Sequence, residues 1–194
     1  MSKYEIGGLK YPSQDKISSR DSTVARSIAS SIIPRIPCEE KDEEEAAKIL
    51  GIIDPNKPVC VYCGRTATHL DHLHPLIQDK KPSGYISELA NLVPCCGECN
   101  QKKGGKSWEE YMNSRYIIDN FSLGLKDRIN RLNEFTNKFP AKWIDFSQWK
   151  DFDIIWSHYD NIKNELDAAQ KDIDNFKRDH SEYYVTMSKE KTIR

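Results

Sequence analysis

The sequence has no surplus of charge. Thirty acidic residues against 29 basic ones give a formal net charge of −1. A nucleic-acid binder of this balance cannot rely on a diffuse cationic surface and needs a local patch, which excludes promiscuous coating of DNA or RNA. No apolar run reaches the length of a membrane span, so no membrane partner is expected. The stretch MSKYEIGGLKYPSQDK has no apolar signal-peptide core, and a cytoplasmic location is the expectation. No internal repeat or low-complexity tract appears. Histidine is scarce: the chain has five, yet three of them crowd into HLDHLHP, residues 69–75.

What is present fits a folded chain. Charged residues make up 30% and aromatics 10%, which argues against global disorder. At 194 residues the chain is long enough for one compact unit, or for a small core with helical additions. In DSTVARSIASSIIP, Val24, Ile28 and Ile32 have helical spacing after a cap at Asp21 or Ser22, and Pro34 ends the helix. EEKDEEEAAKILGIID reads as a short acidic helix closing at Gly51, its acids a solvated face. From Pro55 to about Gly105 the chain turns to cysteine, histidine, glycine and proline, as in a loop-rich module stapled by metal.

Beyond KGGK the chain is helical again. Ser107 and Glu110 form a capping-box pattern, with Trp108, Tyr111, Met112 and Arg115 behind it. A further helix is expected over 125–139, with Leu125, Ile129, Leu132 and Phe135 on one face. Then Phe152, Ile155, Tyr159, Ile162, Leu166, Ala169, Ile173 and Phe176 alternate steps of three and four, a coiled-coil seam over about 152–180. Its partner is either the preceding helix or the same helix of a second copy, and the homodimer is favoured. Trp143, Phe146 and Trp149 are read as packing over that helix. Three regions result: a helical segment 1–54, a core 55–108, and a helical region 109–194.

Six cysteines in a reducing compartment are not disulfides. CVYC places Cys60 and Cys63, and CGEC places Cys96 and Cys99, at the spacing by which two knuckles complete a four-thiolate structural zinc site. Cys95 is the rival to Cys96, but it leaves three residues before Cys99 where the knuckle prefers two. Cys38 stands alone and reads as a small buried residue. A closed sphere of four thiolates holds a frame and does no chemistry.

The insertion between the knuckles therefore has other work. Asp71 and His72, with Asn91 and Asn100 further on, can activate a water and hold a hard divalent cation, since Asp and Asn offer oxygen ligands and imidazole takes a proton near neutral pH. A strand sends adjacent Asp71 and His72 to opposite faces, so the strand must bulge or end there for both to serve one site. His69 and His74 read as packing or hydrogen-bonded residues. Lys102, Lys103 and Lys106 are candidate phosphate contacts, as is Arg65.

CVYC…LDHLHPL…NLVPCCGECNQKKGGK resembles the HNH endonucleases of the ββα-metal class, in the branch framed by two zinc knuckles. The resemblance covers about 50 residues, Cys60 to Trp108. It implies an α+β fold with a small zinc-stapled ββα core flanked by helical segments. It implies His72 as general base, Asp71 and Asn100 as ligands of one catalytic Mg²⁺ or Mn²⁺, and Asn91 as support for the loop carrying the histidine. Asn100 stands where the family name has histidine, which favours oxygen-preferring ions. The implied activity is hydrolysis of double-stranded DNA to 5′-phosphate and 3′-hydroxyl ends. GYISELANLVP…CNQKKG is most similar to restriction-type members, and a restriction or phage-defence nuclease is the expectation. A homing or mobile-element endonuclease is the nearest alternative. A non-catalytic zinc ribbon, which has no use for the Asp71, His72, Asn91 and Asn100 set, is the distant one.

Overall fold

The structure, a computed structural model, describes Glu5–Ile6, Leu9–Lys10 and residues 16–182. Expectations on residues 1–4, 7–8, 11–15 and 183–194 lie outside the described residues. The fold is α+β. The described elements are β1 (Glu5–Ile6), β2 (Leu9–Lys10), α1 (Asp21–Ile32), α2 (Glu40–Leu50), β3 (His69–His72), β4 (Ile77–Gln78), β5 (Lys81–Pro82), β6 (Leu92–Cys95), α3 (Gly97–Lys103), α4 (Trp108–Met112), α5 (Arg115–Phe121), α6 (Leu125–Lys138) and α7 (Phe152–Asp179). They gather into two units, residues 25–152 and residues 1–24 with 153–194.

The strands pair only in twos, each antiparallel: β1 with β2, β3 with β6, and β4 with β5. The β3–β6 ladder sets His69 against Cys95, Leu70 against Pro94, Asp71 against Val93 and His72 against Leu92. Leaving it, the chain enters α3, so β3, β6 and α3 form a ββα unit with the β4–β5 hairpin inserted between its strands.

The main core joins that unit to helices. Ala46 and Leu50 of α2, Trp108, Tyr111 and Met112 of α4, Ile117 of α5, and Leu132 and Phe135 of α6 bury themselves against Tyr62, Leu73, Val93 and the knuckle cysteines. Helix α2 stops where expected because Gly51 takes φ +75°, a left-handed conformation open to glycine, and its amide bonds back to the Lys48 carbonyl at 3.1 Å. The capping box is formed: Glu110 N donates to Ser107 Oγ, and Ser107 N donates to Glu110 Oε2 at 2.9 Å.

Several expectations need correction. On α1 the buried face is Ala25, Ala29 and, just beyond the helix, Ile33, one residue along from the Val24, Ile28, Ile32 stripe. Small alanines let the helix approach closely, and the larger residues line the edges. Arg115 does not continue behind Trp108, because α4 ends at Met112 and Arg115 opens the separate helix α5. Cys38 is exposed, its sulfur 3.0 Å from Glu43 Oε1 at the start of α2. Trp143 hydrogen-bonds through Nε1 to the Ser83 carbonyl at 3.0 Å and remains largely exposed, while Phe146 buries itself with Ala29, Ile33 and Ile86.

In the other unit, α7 runs the length expected of the seam, and Ile17 N bonds to Gln170 Oε1 at 2.8 Å. Trp156 and Tyr159 are buried, with ring centroids 5.4 Å apart. Ile155, Ile162, Ile173 and Phe176 of the seam are exposed. No helix among the described residues is long and apolar enough to cross a membrane.

Candidate active site and metal centre

The two knuckles are built differently. Cys60 and Cys63 sit on a turn closed by Gly64 N to Cys60 O at 2.8 Å, which needs φ +79° at Gly64. Cys96 caps α3, its sulfur accepting from the Cys99 amide at 3.5 Å. Together they bring four buried sulfurs within 4.8 Å of one another, with Cys63 Sγ and Cys96 Sγ 3.7 Å apart. A zinc tetrahedron with bonds of about 2.3 Å has sulfur–sulfur edges of about 3.8 Å, so the cluster fits the ion. The Cys60–Cys99 hydrogen bond lowers the Cys60 pKa and raises that of Cys99.

Cys95 is outside the cluster. It pairs with His69 in the ladder, and burial pushes its thiol up to about 12. Arg65 is drawn to the metal centre: Nε lies 3.4 Å from Cys63 Sγ, while Nη2 lies 3.7 Å from Cys96 Sγ and 2.8 Å from Glu98 Oε2. Four thiolates on one dication would leave excess negative charge, which a guanidinium beside two of them would offset. Arg65 is thus engaged at the cysteine cluster and paired with Glu98, while its side chain stays about half exposed at 49%.

Beyond the cluster, β3 behaves as a strand to its end. Asp71 turns inward and is 7% exposed. Its Oδ2 accepts from Tyr62 Oη at 2.7 Å and pairs with Lys103 Nζ at 3.2 Å, and no hydrogen bond engages Oδ1 among the described residues. Lys103 also donates to the His72 carbonyl at 2.6 Å. This lysine is fully buried, which corrects its expected role as a phosphate contact. Burial lowers its pKa, while Asp71 opposes that shift. Lys102 lies with its ammonium 4.3 Å from the Tyr116 ring centroid, and both it and Lys106 are exposed.

His72 turns the other way. Its Nε2 is 3.1 Å from Ser87 Oγ, and burial lowers the imidazole pKa below its ordinary 6.5. The nearby Asp71 charge opposes that shift, although the two side chains leave opposite faces of the strand. The strand stops at His72, and Asn91 fixes the next turn. Leu73 N donates to Asn91 O at 2.9 Å, His74 N donates to Asn91 Oδ1 at 2.8 Å, and Asn91 Nδ2 donates to the His74 and Ile86 carbonyls, each at 3.1 Å. Every polar atom of that buried amide works on the loop that follows the histidine.

The other two histidines have local partners. His74 stacks on Tyr85 with centroids 4.2 Å apart, and His69 Nδ1 lies 2.8 Å from Thr68 Oγ1. Asn100 lies on α3 one turn before Lys103, so it projects from the side of the helix that faces the end of β3. Asp71 Oδ1 and the Asn100 amide are oxygen donors without competing sulfur or imidazole. Oxygen donors of this kind are what hard divalent cations take.

Two contributors carried no mark in the sequence. Tyr62 stands between two cluster cysteines, where nothing marks it as a partner of Asp71. Ser87 is 15 residues from His72 and meets it only through folding.

No curated protein and no solved structure matches the chain. The family model described as HNH endonuclease matches residues 60–106, from the first cluster cysteine through Lys106. The span takes in all four cysteines, the β3–β6 ladder and α3. Over residues 60–106 the chain is similar to the HNH endonuclease family.

Proposed function

We propose that the chain is a metal-dependent endonuclease that hydrolyses double-stranded DNA to 5′-phosphate and 3′-hydroxyl ends, with residues 55–108 as its catalytic region between two helical ones. The observation that carries this reading is His72, held at the end of β3 inside the HNH span with one ring nitrogen engaged. With Nε2–H donating to Ser87, the Nδ1 lone pair is left to take a proton from water. Burial keeps the imidazole neutral at physiological pH, the form a general base needs.

In this reading Asp71 Oδ1 and Asn100 would hold the catalytic cation, which would supply Lewis-acid stabilisation of the negative charge that develops in phosphodiester hydrolysis. Lys103 and Tyr62 orient the Asp71 carboxylate through its other oxygen. Asn91 holds the turn, so that the His72 backbone does not drift when substrate binds. Zinc on the four cysteines anchors both the start of the ββα unit and α3. Exposed Lys102 and Lys106 contact phosphate.

The reading extends to a cytoplasmic restriction or phage-defence role, supported by the restriction-like wording of GYISELANLVP…CNQKKG. It also includes a homodimer through α7, supported by the exposed seam residues Ile155, Ile162, Ile173 and Phe176.

The test compares the protein with His72→Ala on plasmid DNA in Mg²⁺, Mn²⁺ or EDTA. Cutting should need the metal and fall by about 10²–10⁴-fold in the variant, the usual contribution of a general base. Equal behaviour of the two proteins, or no cutting by either, overturns the reading.

A further inference from the structure

The histidine has a neighbour from outside the HNH span. Residues 34–36 run alongside Ser87 as a short parallel bridge in which Arg35 is the direct partner of Ser87. Ser87 N donates to Pro34 O at 3.2 Å, and Ile36 N donates to Ser87 O at 2.9 Å, so the register is held on both sides of Arg35. Directly paired residues project from the same face of a ladder. The Ser87 side chain reaches His72 Nε2 at 3.1 Å, so Arg35 leaves its backbone on the face that carries the histidine.

Arg35 is exposed and has no carboxylate partner and no hydrogen bond among the described residues. Three other arginines of the same unit are engaged, Arg65 by sulfurs and Glu98, Arg128 by the Tyr62, Leu123 and Phe121 carbonyls, and Arg131 by Asp127, whereas Arg35 shares its lack of a partner with Arg26 and Arg115. A guanidinium on the histidine's face with no partner of its own suits an anionic group that reaches the base, and its planar fork matches two oxygens of a phosphodiester.

We infer that Arg35, delivered to the site by the 34–36 bridge to Ser87, binds the DNA backbone phosphate at the cleavage position. This rests on the endonuclease reading and adds to the HNH span a residue that the span does not contain. The bridge thus has two tasks: it fixes Ser87 behind His72, and it presents a cation to the substrate.

The experiment uses the full zinc-loaded chain with His72→Ala, so that binding is measured without cleavage, and the same chain with Arg35→Ala added. A labelled short duplex is titrated with each in Mg²⁺ across a salt series, and cleavage by the single variants Arg35→Ala and Arg35→Lys is measured on plasmid. Losing one phosphate contact should weaken binding roughly tenfold to hundredfold. It should also lower the slope of log affinity against log salt by about 1. Cleavage by Arg35→Ala should fall at least as far as binding, with Arg35→Lys in between because it keeps charge and loses the fork. Zinc content and circular dichroism matching the parent show that the fold is kept.

If the parent cuts and Arg35→Ala binds and cuts like it, the Arg35 inference falls and the endonuclease reading stands. If the parent neither binds nor cuts DNA, both fall.

Discussion

Asp71 has two claims on it, and its two oxygens divide them. Oδ2 is taken by Tyr62 and by Lys103 in a buried site, and Oδ1 is left toward the cation that the proposed mechanism needs. A buried carboxylate beside a buried ammonium does not add much net stability, because desolvation offsets attraction. Removing one partner is different, since it strands the other. Lys103→Met keeps the length and apolar stem of the side chain but leaves Asp71 with one donor and the His72 carbonyl with none from this residue. The expected loss is about 3–5 kcal/mol of unfolding free energy, measured by urea titration of the zinc-loaded protein. A loss under about 1 kcal/mol, the size of an exposed pair, would show that the ammonium does not hold the carboxylate. None of this was legible in NQKKGGK, where three lysines among glycines look like one solvated loop. Helical phase sets them apart: Lys103 is on the inner face of α3, while Lys102 and Lys106 stay outside.

The elements were legible in proportion to how much of their cause is local. The α4 start needs only Ser107 and Glu110 three residues apart, and both halves of the box are formed. The α6 face of Leu125, Ile129, Leu132 and Phe135 follows from spacing, and Leu132 and Phe135 are fully buried. The knuckles were legible for the same reason, two thiols at a fixed short separation. Elements whose cause is distant were not. Helix α5 is seven residues long, with only Ile117 fully in the core, too little periodicity to read. The β4–β5 pair has two residues a strand, and the Arg35–Ser87 bridge joins segments that share no pattern. For α4, a helix of five residues, the local cause is also a large share of its stability, because few internal hydrogen bonds support it. Ser107→Ala should therefore cost about 1 kcal/mol, read as a lower urea midpoint with an unchanged slope. An unchanged midpoint would mean that packing of Trp108, Tyr111 and Met112 alone sets the helix.

For the molecule as a whole, the four-cysteine cluster is part of the main core and not an appendage to it. Cys60, Cys63, Cys96 and Cys99 share one apolar cluster with Ala46 and Leu50 of α2, Trp108 and Tyr111 of α4, and Leu132 and Phe135 of α6. The Tyr111 hydroxyl is buried with no hydrogen-bond partner among the described residues. Losing the ion leaves four close sulfurs that cannot all ionise, in the middle of packing drawn from four helices. Structural zinc contributes about 10–16 kcal/mol of binding free energy in finger-sized peptides. A domain of this size has only about 5–15 kcal/mol of stability in total. The ion's share is therefore large enough to decide whether residues 25–152 fold as a unit, and α2 and α6 should melt with the knuckles. Stripping zinc with a strong chelator, or replacing Cys99 by serine, should lower helical circular dichroism and shift Trp108 emission to the red in one transition. Restoring zinc should reverse the change in the wild-type chain and not in the variant. If the helical signal and the Trp108 environment survive a metal assay that finds no zinc, the core stands on its apolar contacts alone, and the ion serves only the turn that carries Cys60 and Cys63.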